Sequence, residues 1–153
     1  MADLRFRVKA KSANATKTIV SARGFQLILD EPADLGGTDQ GANPVEYLLA
    51  AYAGCLNVLA HVVAGELKVE LRGVEIDLVG TLNPARLFGQ SFDDRAGYKE
   101  IKVVIKPDWD ADEATTQKWL SCILDRCPVG DNLKNATQVA VEVKRCHRET
   151  VEN

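Results

Sequence analysis

The sequence predicts an α+β fold built as one domain over residues 1–153, with the element order βββ-α-ββ-αα-β. Three observations support this prediction. Apolar and polar residues alternate in several short segments, which is typical of half-buried strands. The predicted strands come in runs and do not alternate singly with helices, which favours α+β over a doubly wound parallel sheet. A length of 153 residues is also ordinary for one domain.

Three strands are predicted before the first helix. Residues 4–10 (LRFRVKA) place Leu4, Phe6 and Val8 on one face, and residues 16–22 and 24–30 form the next two strands. Residues 31–43 are rich in Gly, Asp and Asn, which is typical of a loop.

The first helix is predicted from Pro44 to about Leu67, with Asn43 as its N-cap. Two opposite stripes of this helix are both largely apolar or small. They consist of Leu48, Ala51, Tyr52, Cys55, Leu59 and Val62 on one side, and of Glu46, Ala50, Ala53, Asn57, His61 and Ala64 on the other. A helix of this kind is buried on nearly all sides, so we expect it to be the central helix of a homodimer.

The second half of the chain supplies the remaining elements. Strands are predicted at residues 73–82 and 98–107, and the 15 residues between them are enough to cover a site. Two helices follow at residues 110–126 and 127–136, and a strand at residues 138–146 closes the fold.

Composition and charge exclude several classes of protein. A net charge of −3 and a pI near 5.4 argue against a nucleic-acid-binding surface. The first residues lack the apolar core of a signal peptide. The longest apolar run, residues 47–64, is interrupted by Asn57 and His61 and makes a poor membrane span. We therefore expect a cytoplasmic protein, in which cysteines serve as free, catalytic or metal-binding groups more often than as structural disulfides.

The four cysteines differ in their surroundings. Cys122 lies in an apolar helical run and is expected to pack, whereas Cys146 ends the last strand near solvent and has no assigned role. Cys127 precedes Pro128, which places it at a helix N-cap where a thiolate is favoured, although Cys-Pro is also an ordinary helix start. Cys55 is a candidate for packing, for metal binding or for nucleophilic attack.

A metal site is not predicted. There is no CxxC motif, Cys122 and Cys127 are five residues apart, and Cys146 is adjacent to His147, which are poor spacings for zinc. His61 is interpreted as a hydrogen-bonded helix residue.

Residues 35–55 (LGGTDQGANPVEYLLAAYAGC) and residues 127–133 (CPVGDNL), with the strand-rich segments around them, resemble the OsmC/Ohr family. This family comprises osmotically inducible protein C and the organic hydroperoxide resistance proteins. The resemblance covers roughly residues 16–145. It implies an intertwined homodimer with two long central helices, and a thiol peroxidase with two cysteines near the subunit interface.

Carried onto this sequence, the resemblance implies that Cys55 attacks the peroxide and that Cys127 resolves the product as a disulfide. Arg23 is the nominated cation that lowers the thiol pKa, steered by Glu46 across the dimer. Val45 occupies the position after Pro44 where the peroxidase branches carry an acidic residue. No arginine falls between Lys11 and Ala22, where the hydroperoxide-resistance branch would place it, so Arg86 and Arg95 in the long connection are further candidates for the cation. The implied substrates are organic hydroperoxides in preference to hydrogen peroxide, the implied reductant is an external dithiol, and no cofactor is needed.

Two other interpretations stay open. The chain is an OsmC-fold protein that binds a small apolar ligand or senses redox state with little turnover, or it is a structural domain whose cysteines only pack.

Overall fold

The structure is a computed structural model that describes residues 2–145. It is α+β, and the element order follows the prediction through the third helix. The elements are β1 Val8–Ser12, β2 Thr18–Ala22, β3 Phe25–Leu29, a 3-10 turn at Ala33–Leu35, α1 Pro44–Glu66, β4 Gly73–Thr81, β5 Glu100–Asp108, α2 Glu113–Arg126 and α3 Pro128–Lys134.

The strands form two separate antiparallel sheets. One has the order β1-β2-β3 and the other consists of β4 and β5. The first strand begins at Val8, four residues later than predicted from Leu4. The reason lies in its partner, because Val8 pairs with Ala22, the last residue of β2, and Leu4 and Phe6 therefore have no neighbouring strand in this sheet.

The core forms where the three helices meet β4 and β5. Its fully buried side chains include Leu56 on α1 and both Trp119 and Ile123 on α2. The indole N–H of Trp119 donates to the carbonyl of Ala60 at 2.9 Å, which fastens α2 to α1. The packing of α2 and α3 on α1 brings the junction between α2 and α3 against the middle of α1.

Helix α1 starts as predicted, with Asn43 as its N-cap and Pro44 in its first turn. The chain covers only one of its faces, formed by Tyr52, Leu56, Ala60, Val63 and Ala64. The predicted burial on nearly all sides is not reached within one chain, because α2, α3 and β4 pack on a single side.

The uncovered side of α1 is apolar. Val58 and Val62 are 60% and 43% exposed, and only 28% of the most apolar 18-residue window is buried. By length and hydropathy alone the helix could cross a membrane, but the core helices of soluble proteins meet the same criteria.

The predicted closing strand is not formed within the described chain. Residues 138–145 belong to no sheet, and Val139, Val141 and Val143 are 76%, 86% and 91% exposed. A strand needs a hydrogen-bonded neighbour, and residues 138–145 pair with neither sheet of their own chain. Cys146 lies outside the described residues.

The sheet of β1, β2 and β3 stands apart from the core, and its strands pack chiefly on one another. The buried carboxylate of Asp30 organises the loop after β3. It accepts hydrogen bonds from the hydroxyls of Thr38 and Thr16 and from the backbone N–H groups of Gln40 and Glu31. These bonds, with that from Thr38 the strongest, lower the pKa of Asp30 to about 2.

Candidate functional site

Cys55 lies in the fourth turn of α1, a helix whose N-terminus is capped by side-chain hydrogen bonds. The Asn43 side chain accepts from the Glu46 N–H at 2.9 Å, and the Glu46 carboxylate accepts from the Asn43 N–H at 2.8 Å. This reciprocal pair is a capping box, which satisfies two backbone donors at the start of a helix. The Cys55 side chain is half-buried against the core.

Cys127 occupies the junction between α2 and α3. It ends α2 and is the N-cap of α3, as the following Pro128 predicts. Its sulfur accepts a hydrogen bond from the N–H of Gly130 at 3.3 Å. The residue is 1% exposed, so its thiol is reached only through its neighbours.

The two sulfurs are in contact. The Sγ atoms of Cys55 and Cys127 lie 3.0 Å apart, within hydrogen-bonding distance of each other. Both cysteines are free in the structure. The arrangement brings together the two thiols that the resemblance pairs, at a separation from which a small movement forms a disulfide.

The surroundings of Cys55 favour its neutral form. Burial raises the pKa of the Cys55 thiol, and the hydrogen bond and charge of Cys127 raise it further. The backbone N–H of Val129, in the first turn of α3, opposes this and lowers the pKa. Among residues 2–145, no arginine or lysine contributes to the shift.

Tyr52 is the third side chain at this site. It is one helical turn before Cys55, and burial raises the pKa of its hydroxyl, with smaller contributions from Cys127 and Cys55. A cavity of about 330 Å³ opens beside it, lined by Leu48, Tyr52, Arg95, Tyr98, Val103, Gly130 and Leu133, among others. We call this space the Tyr52 cavity. Tyr52 lies on the predicted stripe of Cys55, but no role is predicted for it from the sequence.

Glu46 lies at the start of α1, away from the sulfurs, where its carboxylate caps the helix. The spacing of Asn43 and Glu46 is itself a capping-box signal that sequence reasoning missed. Glu46 also borders a larger, mainly apolar cavity of about 770 Å³ between α1, β4 and residues 82–98. Burial raises the pKa of Tyr98 in the wall of this cavity, and the charge of Glu46 adds to the effect.

The three candidate arginines lie on different segments. Arg23 is in the turn between β2 and β3, with a φ of 55° and its guanidinium 5.1 Å from the ring of Phe25. The Arg86 guanidinium donates to the carbonyls of Phe92 and Asp94, so it is bound within its own loop. Arg95 lines the Tyr52 cavity. Within the described chain, none of the three forms a hydrogen bond or ion pair with the cysteines.

Two further residues considered in the sequence, Cys122 and His61, form no hydrogen bond with Cys55 or Cys127 in the described chain. Cys122 packs against the core from α2, as its place in an apolar helical run predicts. His61 is exposed on α1. In the part of the chain that the structure describes, no group of three or more His, Cys, Asp or Glu side chains is arranged to hold a metal ion.

Comparisons with known proteins place this geometry in a family. The family model for OsmC-like protein matches residues 37–142, a range that contains both cysteines. No curated protein sequence gives a significant match.

Solved structures of low sequence identity share the fold. An OsmC-like protein from Mycoplasma pneumoniae has a TM-score of 0.75 and 19% identity, covering 87% of this chain and 89% of that one. An organic hydroperoxide resistance protein OsmC from Legionella pneumophila has a TM-score of 0.66 and 18% identity, with coverages of 88% and 92%. An organic hydroperoxide resistance protein from Elizabethkingia anophelis has a TM-score of 0.60 and 15% identity, with coverages of 87% and 90%. With a family model that spans most of its length and a fold shared with these structures, the chain belongs to the OsmC-like protein family.

Proposed function

We propose that the protein is a thiol-dependent peroxidase that reduces organic hydroperoxides, with Cys55 as the nucleophile and Cys127 as the resolving cysteine. The observation that carries the proposal is the 3.0 Å contact between the two sulfurs. Two thiols on different helices at this distance allow a nucleophile and its resolving partner to react without unfolding. The family match and the relatives named for hydroperoxide resistance support the same chemistry.

The cycle has three steps. The Cys55 thiolate attacks the terminal peroxide oxygen, the O–O bond breaks, and an alcohol leaves after protonation, which converts Cys55 to a sulfenic acid. The Cys127 thiol then displaces water from this sulfenic acid and forms a Cys55–Cys127 disulfide. An external dithiol reduces the disulfide by exchange and is itself oxidised. None of these steps requires a metal, haem or flavin.

The nucleophile needs a cation, because burial raises the pKa of Cys55 in the single chain. We assign this role to Arg23 of a second copy. Its turn stands apart from the core of its own chain, and among residues 2–145 its guanidinium is stacked only on Phe25. We propose that the Glu46 carboxylate orients the Arg23 guanidinium. One carboxylate oxygen of Glu46 is engaged in the capping box, and within residues 2–145 the other has no hydrogen-bond partner.

A homodimer would cover the surfaces that the single chain leaves exposed. The uncovered face of α1 carries the exposed apolar side chains Val58 and Val62, on which the helix of a second copy could pack. The sheet of β1, β2 and β3 and the unpaired residues 138–145 also lack a covering layer in their own chain. We therefore propose a single-domain subunit that acts as an intertwined cytoplasmic homodimer.

Mass spectrometry of the wild-type protein after one equivalent of cumene hydroperoxide tests this function. We expect a Cys55–Cys127 disulfide, reversed by a dithiol with continued consumption of peroxide. Folded protein with unmodified Cys55 and unconsumed peroxide would rule the peroxidase out.

A ligand-binding or redox-sensing protein is the second candidate. The observation that favours it is the 770 Å³ cavity at the start of α1, which is mainly apolar and does not include the cysteines. This function predicts an apolar small molecule that copurifies with the protein, and the same ligand content in Cys55→Ser as in wild type.

A further inference from the structure

Tyr52 is a nearly buried tyrosine with an unusual hydroxyl. The residue is 7% exposed, and its hydroxyl makes no hydrogen bond with any other residue in the range 2–145. Buried tyrosines usually find a partner for this group. The oxygen is not sealed inside the protein, because the described chain contains no fully buried side-chain oxygen without a partner. The free hydroxyl therefore keeps access to the Tyr52 cavity.

The same hydroxyl lies close to the cysteine pair. A Cβ atom built on Gly130 would stand 3.4 Å from the Tyr52 hydroxyl oxygen and 3.4 Å from the Cβ of Cys127. On the other side, Tyr52 precedes Cys55 by three residues, so both side chains lie on the same face of α1. Neither cysteine lines the Tyr52 cavity, which adjoins the two sulfurs through Tyr52 and through Gly130, whose N–H donates to the Cys127 sulfur.

The cavity fits the shape and polarity of an organic hydroperoxide. Its volume is about 330 Å³, and Leu48, Val103 and Leu133 offer apolar surface to an alkyl or aryl group. The difficult part of peroxide reduction is the departure of an alkoxide, a strongly basic oxygen that needs a proton. A hydrogen-bond donor at that oxygen stabilises the charge that develops there. Burial keeps the pKa of Tyr52 above its usual value, so the hydroxyl is protonated at neutral pH.

We propose that Tyr52 is a further catalytic residue, whose hydroxyl donates to the leaving oxygen of an organic hydroperoxide bound in the Tyr52 cavity. This inference rests on the peroxidase function proposed above. The sulfur of Cys55 bonds to the terminal oxygen, and the electron pair of the broken O–O bond goes to the oxygen that carries the organic group. That oxygen takes the proton of Tyr52, and water in the cavity reprotonates the tyrosine. The products are Cys55 sulfenic acid and an alcohol.

The test compares two oxidants whose leaving groups differ in basicity. tert-Butyl hydroperoxide expels an alkoxide that needs a proton, whereas peracetic acid expels acetate, which does not. The rate constant for Cys55 oxidation is measured for wild type and Tyr52→Phe, which keeps the ring. We expect Tyr52→Phe to lower this rate constant about 100-fold with tert-butyl hydroperoxide, which is at the lower end of the range for general acids. With peracetic acid the rate constant should fall less than about threefold.

Two controls separate chemistry from packing. Tyr47→Phe removes a hydroxyl from the same helix, one that donates to the carbonyl of Ile28 at 3.0 Å, and should leave both rate constants unchanged. The rate of Cys55 alkylation by iodoacetamide should be the same in wild type and Tyr52→Phe, since the pKa of Cys55 depends chiefly on its burial.

The outcomes are distinct. A loss confined to tert-butyl hydroperoxide supports the proposal. Equal losses with both oxidants, or no loss with either, would overturn the role of Tyr52 and leave the peroxidase function intact. A wild-type protein whose Cys55 reacts with neither oxidant overturns the peroxidase function and the role of Tyr52 together.

Discussion

The sulfur atoms of Cys55 and Cys127 lie 3.0 Å apart, although the two residues are 72 positions apart in the chain. Cys55 lies in the middle of the long helix α1, and Cys127 is the N-cap of α3, the short helix that packs against α1. Their contact depends on the packing of α2 and α3 against α1. Variants at the cysteines therefore test the chemistry, and variants at the contacts between these helices test the stability of the core.

Cys127→Ser should separate attack from resolution. We expect this variant to consume about one equivalent of peroxide and then stop, because within residues 2–145 only Cys127 is a thiol in contact with Cys55 that can displace water from the sulfenic acid. Dimedone labelling should detect the sulfenic acid at Cys55, and excess peroxide should convert it to sulfinic acid.

Cys122→Ser is the matched control, since it changes a thiol that packs on the core and that, in the described chain, forms no hydrogen bond with Cys55 or Cys127. Its turnover should equal that of wild type. Steady turnover by Cys127→Ser with the dithiol present would show that Cys127 is not the resolving cysteine.

Asp30 should make the protein sensitive to acid. Its pKa of about 2 in the folded chain is below the usual value of 3.8, so the folded state binds the proton less tightly than the unfolded state does. The stabilisation is fully present above about pH 4 and is lost as the pH falls towards 2. Urea unfolding at pH 6 and pH 2.5 should show Asp30→Asn to be less stable than wild type at pH 6, with a much smaller difference at pH 2.5.

Asp34→Asn, an exposed change in the same loop, controls for loss of charge and should match wild type at both pH values. If the free energy of unfolding differed between wild type and Asp30→Asn by the same amount at both pH values, this would contradict the assigned role of the Asp30 carboxylate.

Trp119→Phe should weaken the attachment of α2 to α1. The change removes the 2.9 Å hydrogen bond to the Ala60 carbonyl and leaves space in the core. We expect a loss of roughly 2 kcal/mol in the free energy of unfolding, about half from the hydrogen bond and half from the space. Trp109→Phe is the control, because Trp109 packs on Trp119 with ring centroids 4.7 Å apart but is only half-buried. A loss no larger than that of Trp109→Phe would show that the hydrogen bond contributes little.

The uncovered face of α1 should hold the dimer together. Val58→Asp places a charge where a second copy is proposed to pack, and burial of an unpaired charge is strongly unfavourable. By light scattering at micromolar concentration, we expect wild type at twice the chain mass of 16.7 kDa and the variant at 16.7 kDa. Leu124→Asp introduces the same charge on α2 and should remain dimeric. A wild-type protein found only at 16.7 kDa would end the dimer proposal.

Several features could be predicted from the sequence because their causes are local. Asn43 and Pro44 begin α1, and Cys127 and Pro128 begin α3, since a helix start depends on the conformation and side chains of adjacent residues. The motifs around the two cysteines indicated the family that the family model confirms. The spacing of Asn43 and Glu46 also contains the capping role of Glu46, which was not predicted from the sequence.

Tertiary structure decided the rest, because the causes lie far apart in the chain. The beginning of β1 at Val8 depends on where β2 ends, and the absence of a closing strand at residues 138–145 depends on whether any edge is available to pair with it. The periodicity of α1 showed that the helix is apolar all round, but which face the chain covers depends on α2, α3 and β4. The contact of Cys55 with Cys127, the raised pKa of Cys55 and the free hydroxyl of Tyr52 all arise where separate helices meet. Sequence determines which groups can react, whereas distance and desolvation, which govern whether they do, exist only once the helices have packed.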